Sequence, residues 1–71
     1  MATTMQIHIG ILIRDELRRK GHTNEWLADK IGVNIRTVNK IFLKQTMDTQ
    51  QLFNISKALE KDFFSYYSRL L

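Results

Sequence analysis

The strongest constraint on the fold of this chain is a pair of short apolar stripes within residues 23–43, both at helical spacing. Leu27 and Ile31 lie four residues apart and form the first stripe. The second stripe follows the i, i+3, i+4 rule and consists of Val38, Ile41 and Phe42. Because so few residues separate the two stripes, the spacing predicts two short helices joined by a tight turn.

The residues between the stripes, Gly32, Val33 and Asn34, have the chemistry of such a turn. Glycine has no Cβ and can adopt the positive φ at which a helix commonly ends. Asn34 is a natural N-cap, because its side-chain oxygen can accept hydrogen bonds from the free N–H groups of the next helix. Ala28 is small enough for the second helix to cross close to the first. Steric and hydrogen-bonding arguments therefore predict the same turn.

This order of residues resembles the helix-turn-helix of the XRE family, the Cro-like and phage-repressor-like transcription regulators. The matching positions are a polar first residue, a Leu-Ala pair, an Ile-Gly pair, a small apolar turn residue and two apolar residues in the second helix: Asn24, Leu27, Ala28, Ile31, Gly32, Val33, Val38 and Ile41. A downstream stretch, residues 52–62, is similar to the family's fourth helix and the turn after it. The resemblance runs from about residue 8 to residue 64. It implies a compact lambda-repressor-like DNA-binding domain of four or five helices.

Composition independently predicts a small helical domain. The 71 residues are near the lower limit for a domain that folds without a metal or disulfide. The absence of cysteine excludes a disulfide framework and a cysteine-ligated zinc site. There is no proline and there are only three glycines, so the turn clusters of a β protein are missing. We therefore predict one all-α domain, residues 8–62, preceded by a flexible arm, residues 1–7, and followed by an aromatic helix, residues 63–71.

The same features argue against an enzyme. A core of this size leaves no room for an enclosed active site, and no catalytic triad, metal-ligand cluster or glycine-rich phosphate loop can be assembled from the sequence. We expect no cofactor and no bound metal. No apolar stretch is long enough to span a bilayer, and no signal peptide precedes the domain, so we predict a cytoplasmic protein without a membrane partner.

Positive charge is concentrated around the second motif helix. The formal net charge is +4, and no Asp or Glu occurs between Asp29 and Asp48. That window contains the cations Lys30, Arg36, Lys40 and Lys44. A solvated helix face is the usual explanation for helical cations. Their coincidence with an independently inferred helix instead favours an interface with an acidic partner.

If the second motif helix spans residues 34–43 with its apolar stripe inward, five of its side chains point outward: Ile35, Arg36, Thr37, Asn39 and Lys40. The resemblance implies that the base-facing positions in the DNA major groove are Asn34, Ile35, Arg36 and Lys40. Arg36 can address guanine N7 and O6 in bidentate fashion, and Ile35 can meet a thymine methyl. The resemblance also places Asn24 against a phosphate. Further candidates for contact with the DNA backbone are Thr37, Asn39 and Lys44.

Two flanking helices are predicted to complete the core. The first spans residues 8–20, buries Ile9, Leu12, Ile13 and Leu17, and closes at Gly21. The second starts at a capping box formed by Asp48 and Gln51, with Met47 and Leu52 as a hydrophobic staple, and continues to about residue 61. These predictions position the two motif helices between a helix before them and a helix after them.

The C-terminal segment contains more aromatic residues than a small core can absorb. We predict a short fifth helix capped by Asp62, with a self-association surface of Phe64, Tyr66, Tyr67 and Leu70. The alternative is that Phe63 and Phe64 complete the core.

The leading functional hypothesis is sequence-specific binding of double-stranded DNA by a homodimeric transcriptional regulator. The competing hypothesis is a protein-interaction module on the same scaffold, of the antitoxin or antirepressor type.

Overall fold

The computed structural model describes residues 7–71, and in that part of the chain it contains five helices and no strand. The helices are α1 (Ile9–Arg19), α2 (Asn24–Ile31), α3 (Ile35–Ile41), α4 (Thr49–Leu59) and α5 (Ser65–Ser68). The all-α prediction is confirmed. The predicted N-terminal arm lies outside the described residues, except for Ile7. No helix in residues 7–71 has the length and apolar character needed to cross a membrane.

The α2–α3 turn has the geometry that the sequence predicts. Gly32 ends α2 in the left-handed region, with φ 71° and ψ 35°. Asn34 caps α3, and its Oδ1 accepts hydrogen bonds from the backbone N–H groups of Arg36 (2.8 Å) and Thr37 (3.2 Å). Thr23 caps α2 through the N–H of Trp26 at 3.1 Å. Both caps are local, so the turn is largely determined by its own residues.

One core connects the helices. Its twelve buried apolar side chains come from α1 to α4, from the end of α3 and from one C-terminal aromatic: Ile9, Ile13, Leu17, Leu27, Ala28, Val38, Ile41, Phe42, Leu52, Ile55, Leu59 and Phe63. The predicted apolar face of α1 is confirmed, although Leu12 is only partly buried. α2 packs against both α3 and α4. This arrangement leaves the side of α3 opposite its apolar stripe open to solvent.

The first turn of α1 is docked on the end of α3. The backbone N–H groups of Ile9 and Gly10 donate to the carbonyl oxygens of Gln45 (3.2 Å) and Lys44 (2.9 Å). These N–H groups have no acceptor within their own helix, so the loop after α3 satisfies them. A Cβ added to Gly10 would lie 2.5 Å from the Ile41 carbonyl oxygen. Glycine at this position therefore allows two backbones to touch.

A buried carboxylate lies near the end of α1, beside the lysine that connects α1 to α4. Glu16 is the one buried charged residue in the described chain. Arg19 donates to it through Nε (3.1 Å) and Nη2 (2.6 Å), and Lys20 Nζ lies 3.6 Å away. Hydrogen bonding from Arg19 holds the pKa of the Glu16 carboxyl below its ordinary value. Lys20 Nζ also donates to the carbonyl oxygen of Leu59, which ties α1 to the last turn of α4.

The start of α4 differs in detail from its prediction. Asp48 caps the helix as expected, and its Oδ1 accepts the N–H of Gln51 at 2.7 Å. The reciprocal half of the capping box is replaced, because Gln51 Oε1 accepts from Lys44 Nζ at 3.4 Å. Leu52 is buried and Met47 packs against the core, as the staple requires. The helix ends at Leu59, two residues earlier than expected.

The predicted cap of α5 is wrong. The residue before the helix is Phe64, which already has helical φ and ψ angles and makes no side-chain cap. An N-cap residue must be extended for its side chain to reach the free N–H groups. Here the chain turns before the helix begins, so Asp62 contributes only its backbone carbonyl, which accepts from Ser65 Oγ at 2.7 Å. Phe63 is fully buried in the shared core.

Candidate nucleic-acid interface

The solvent-facing side of α3 carries most of the predicted contact residues. Val38 and Ile41 point into the core, which turns Arg36, Asn39 and Lys40 toward solvent. Thr37 is partly exposed at the margin of this face. Ile35 begins the helix and is 41% exposed. The α3 face, defined here as Ile35, Arg36, Asn39 and Lys40, is therefore mixed in chemistry, with two cations, one amide and one apolar group.

The cations of the α3 face are not neutralised by neighbouring carboxylates. Within residues 7–71, neither Arg36 nor Lys40 forms an ion pair. Two basic residues of α1 differ, since Arg14 pairs with Asp15 at 3.7 Å and Arg19 pairs with Glu16, whereas Arg18 forms no ion pair among the described residues. Unpaired guanidinium and ammonium groups on one short helix suit an anionic ligand.

Asn24 and Asn39 meet across the motif. The Nδ2 of Asn24, at the start of α2, donates to the Oδ1 of Asn39 on α3 at 3.0 Å. The sequence predicts separate contacts of these residues with the DNA backbone, and their mutual hydrogen bond does not follow from it. The contact uses the Oδ1 of the exposed Asn39 side chain as the acceptor, so Asn24 does not engage the Nδ2 donors of Asn39. It also couples the first turn of α2 to the α3 face.

Two other predicted contact residues have partners within the chain. The Oδ1 of Asn34 is committed to capping α3, which leaves its Nδ2 for an outside partner. Lys44 lies beyond α3 in the loop before α4, where its Nζ contacts Gln51 at the first turn of α4. Lys44 is exposed, so it extends the positive surface from α3 toward α4.

Carboxylates border this surface on its α2 side. Glu25 and Asp29 line a depression of about 250 Å³ together with Ala28, Val33, Asn34 and Ile35. The window without Asp or Glu along the sequence does not reveal these carboxylates, because α2 folds back beside the start of α3. These two carboxylates limit the positive surface on its α2 side, and the cations of that surface are Arg36, Lys40 and Lys44.

The four predicted self-association residues divide into two pairs. Phe64 and Tyr66 pack against the core, and the Tyr66 ring lies 6.2 Å from the Phe63 ring. Tyr67 is 37% exposed and Leu70 is 50% exposed. Burial of part of the Tyr67 side chain raises the pKa of its phenol above the ordinary value. Sequence reasoning did not single out Phe53, a half-exposed aromatic on α4.

No cluster of metal-ligating side chains occurs within residues 7–71. Comparisons of the chain with protein-family models, with curated proteins and with solved structures find no match.

Proposed function

We propose that this chain binds double-stranded DNA in a sequence-specific manner and acts as a transcriptional regulator. The observation that carries the proposal is the α3 face, on which Arg36 and Lys40 lie exposed and without an ion pair among the described residues. A short helix held at both ends, with unpaired cations on its outer side, is the kind of element that enters the major groove. In this proposal α2 and the loop after α3 hold α3 in place.

The dimensions of α3 suit this role. Its seven residues form about two turns, and a helix with its side chains, about 10–12 Å across, fits a major groove about 12 Å wide. Arg36 is the residue best suited to guanine, because its planar donors match O6 and N7. Ile35 provides an apolar contact for a thymine methyl. Lys40 lies in the last turn of α3, so we assign it a phosphate contact in place of the base-facing role that the resemblance implies. Lys44 provides a second phosphate contact, and the two hold the helix in register.

The proposal includes a homodimer. A single domain with one short reading helix contacts too few base pairs to select a site in a genome. Two copies with their α3 helices about 34 Å apart would contact successive major grooves on one side of the duplex. The exposed Tyr67 and Leu70 near the C-terminus are the proposed dimer contact, since both would otherwise present apolar area to water.

The second candidate function, a protein-interaction module, is favoured by the same exposed apolar residues and by Phe53. The two functions differ in their response to salt. DNA binding through phosphates weakens steeply as salt rises, because bound counterions are released. Association through apolar surfaces does not weaken in this way.

The direct experiment removes the two cations of the α3 face. Arg36→Ala combined with Lys40→Ala should abolish binding to duplexes selected from a random pool by the unmodified protein. The helical circular dichroism should be unchanged, because both side chains are exposed. As a matched control, Arg18→Ala with Arg69→Ala removes the same charge outside α3 and should retain most of the affinity. Normal duplex binding by the first variant would refute the proposed interface.

A further inference from the structure

A second positively charged feature lies between α2 and α4, on a different side of α2 from the α3 face. It is an open groove of about 320 Å³ lined by Lys30, Ile31, Asn54, Lys57 and Ala58. No residue of α3 lines it. Its volume is at the lower end of the range for ligand-binding pockets, which suits a few side chains rather than a large molecule. We refer to it as the α2–α4 groove.

The lysines of the α2–α4 groove are each held against an aromatic ring. Lys30 Nζ lies 5.6 Å from the centre of the Trp26 ring, and Lys57 Nζ lies 5.6 Å from the centre of the Phe53 ring. Trp26 is itself stacked on His22, with ring centres 3.6 Å apart. Cation–π contacts at this distance favour ammonium positions close to the aromatic faces. The groove therefore has two partly positioned positive charges.

These two charges have no internal counterion. Among residues 7–71, neither Lys30 nor Lys57 forms an ion pair. Between them lie the partly buried side chains of Ile31 and Ala58, which give the groove an apolar part. Phe53 adds a second apolar area, since about half of its side chain (49%) is exposed beside Lys57. A complementary ligand must carry negative charge and also an apolar group.

We propose that the α2–α4 groove binds an acidic peptide segment of a protein partner, in which an apolar side chain lies between two carboxylates. The carboxylates pair with Lys30 and Lys57, and the apolar side chain contacts Ile31, Ala58 and Phe53. The Oδ1 of Asn54 accepts from Gln50 Nε2 at 3.2 Å, so Asn54 offers only its Nδ2 donors to the peptide backbone at the edge of the groove. A phosphate group alone would satisfy the lysines but leave the apolar contacts unused. This site is separate from the proposed DNA interface and does not depend on it.

The test is an NMR titration of the full chain with synthetic peptides. The probes are acetylated and amidated peptides in which two glutamates flank a leucine at separations of one to three residues. The reporters are the backbone amides of the groove residues and the indole N–H of Trp26, the one tryptophan in the sequence. At least one peptide should give saturable shifts confined to the groove at concentrations up to about 5 mM, the affinity range of so small a contact. The same peptide with glutamines in place of glutamates should bind more weakly.

Matched variants separate this site from the DNA interface. Lys30→Gln with Lys57→Gln should weaken peptide binding about tenfold, the scale of two exposed ion pairs, and should leave duplex binding intact. Arg36→Gln with Lys40→Gln removes the same charge from α3 and should leave peptide binding unchanged. Phe53→Ala should also weaken peptide binding, since it removes the apolar contact without altering charge.

Several outcomes would overturn the proposal. One is the absence of saturable shifts with every peptide in the panel. Another is equal binding of the glutamate and glutamine peptides, or equal binding by the Lys30→Gln, Lys57→Gln variant. A third is that the groove residues respond to inorganic phosphate or to a DNA duplex as strongly as they respond to the peptides. That result would identify the groove as a phosphate-binding site. Loss of duplex binding alone, with peptide binding retained, would contradict the DNA proposal and leave this one supported.

Discussion

Replacing Gly10 with alanine tests how α1 supports the end of α3. In an exposed helix interior this change would add about 1 kcal/mol of stability, because alanine is the better helix former. In this fold the added Cβ would lie 2.5 Å from the carbonyl oxygens of both Ile41 and Phe42. Those atoms belong to the backbone, so α1 and the end of α3 must separate to admit the methyl group.

The expected cost follows from what that separation breaks. The hydrogen bonds from the N–H groups of Ile9 and Gly10 to the loop after α3 are worth about 1 kcal/mol each. Forcing a methyl group into a packed contact costs about 1–3 kcal/mol. After subtraction of the gain in helix propensity, Gly10→Ala should lower the free energy of unfolding by about 2–4 kcal/mol. That is a large part of the stability of so small a domain.

The assay is urea unfolding followed by circular dichroism. Gly21→Ala is the matched control: Gly21 has φ 76° but no atom within 4 Å of an added Cβ. Only the left-handed backbone then opposes the substitution, at a cost of about 1 kcal/mol. A Gly10→Ala protein as stable as the unmodified chain, or more stable, would refute the close contact between α1 and α3.

Three further predictions follow from other parts of the fold. Glu60 ends α4 with φ 53°, so Glu60→Gly should raise the free energy of unfolding by about 1 kcal/mol in the same urea assay. Arg19 lowers the pKa of the Glu16 carboxyl. The charged carboxylate therefore stabilises the fold at pH values above its ordinary pKa of 4.5, and this stabilisation is lost as the pH falls through the lowered pKa. The stability difference between the unmodified protein and Glu16→Gln should therefore shrink on acidification; a difference that is constant with pH would contradict this. Tyr67→Ser with Leu70→Ser should convert a dimer to a monomer in sedimentation, and an unmodified protein that is already monomeric at high concentration would contradict the dimer contact.

The parts of the fold that the sequence predicts well are those determined by neighbouring residues. Gly32 and Asn34 specify the turn between α2 and α3, because a left-handed residue and a side-chain cap need only local partners. The apolar stripes of α1 and α4 likewise follow from helical periodicity. For this reason α2 ends at Ile31 and α3 begins at Ile35, on either side of the predicted turn.

The parts that could not be predicted depend on contacts between distant residues. Gly10 looks like a weak helix former in the sequence, and only the docking of α1 on the α3 end explains it. Glu16 looks like a solvent-exposed carboxylate in the sequence, but the folded chain leaves only 6% of it exposed. The hydrogen bond between Asn24 and Asn39 joins residues from two helices whose crossing sets the distance. The outward-facing positions on α3 followed from periodicity and the roles of the candidate contact residues from the family resemblance, but their internal partners followed from neither.

The most direct test of the proposed DNA interface is the salt dependence of duplex binding. The logarithm of the binding constant should fall linearly with the logarithm of the salt concentration, and Lys40→Ala should reduce the slope by about one, because one phosphate contact is lost. Lys57→Ala removes the same charge from α4, outside the α3 face, and should leave the slope unchanged. Equal slopes for the Lys40→Ala variant and the unmodified protein would contradict the proposal that the α3 face contacts DNA.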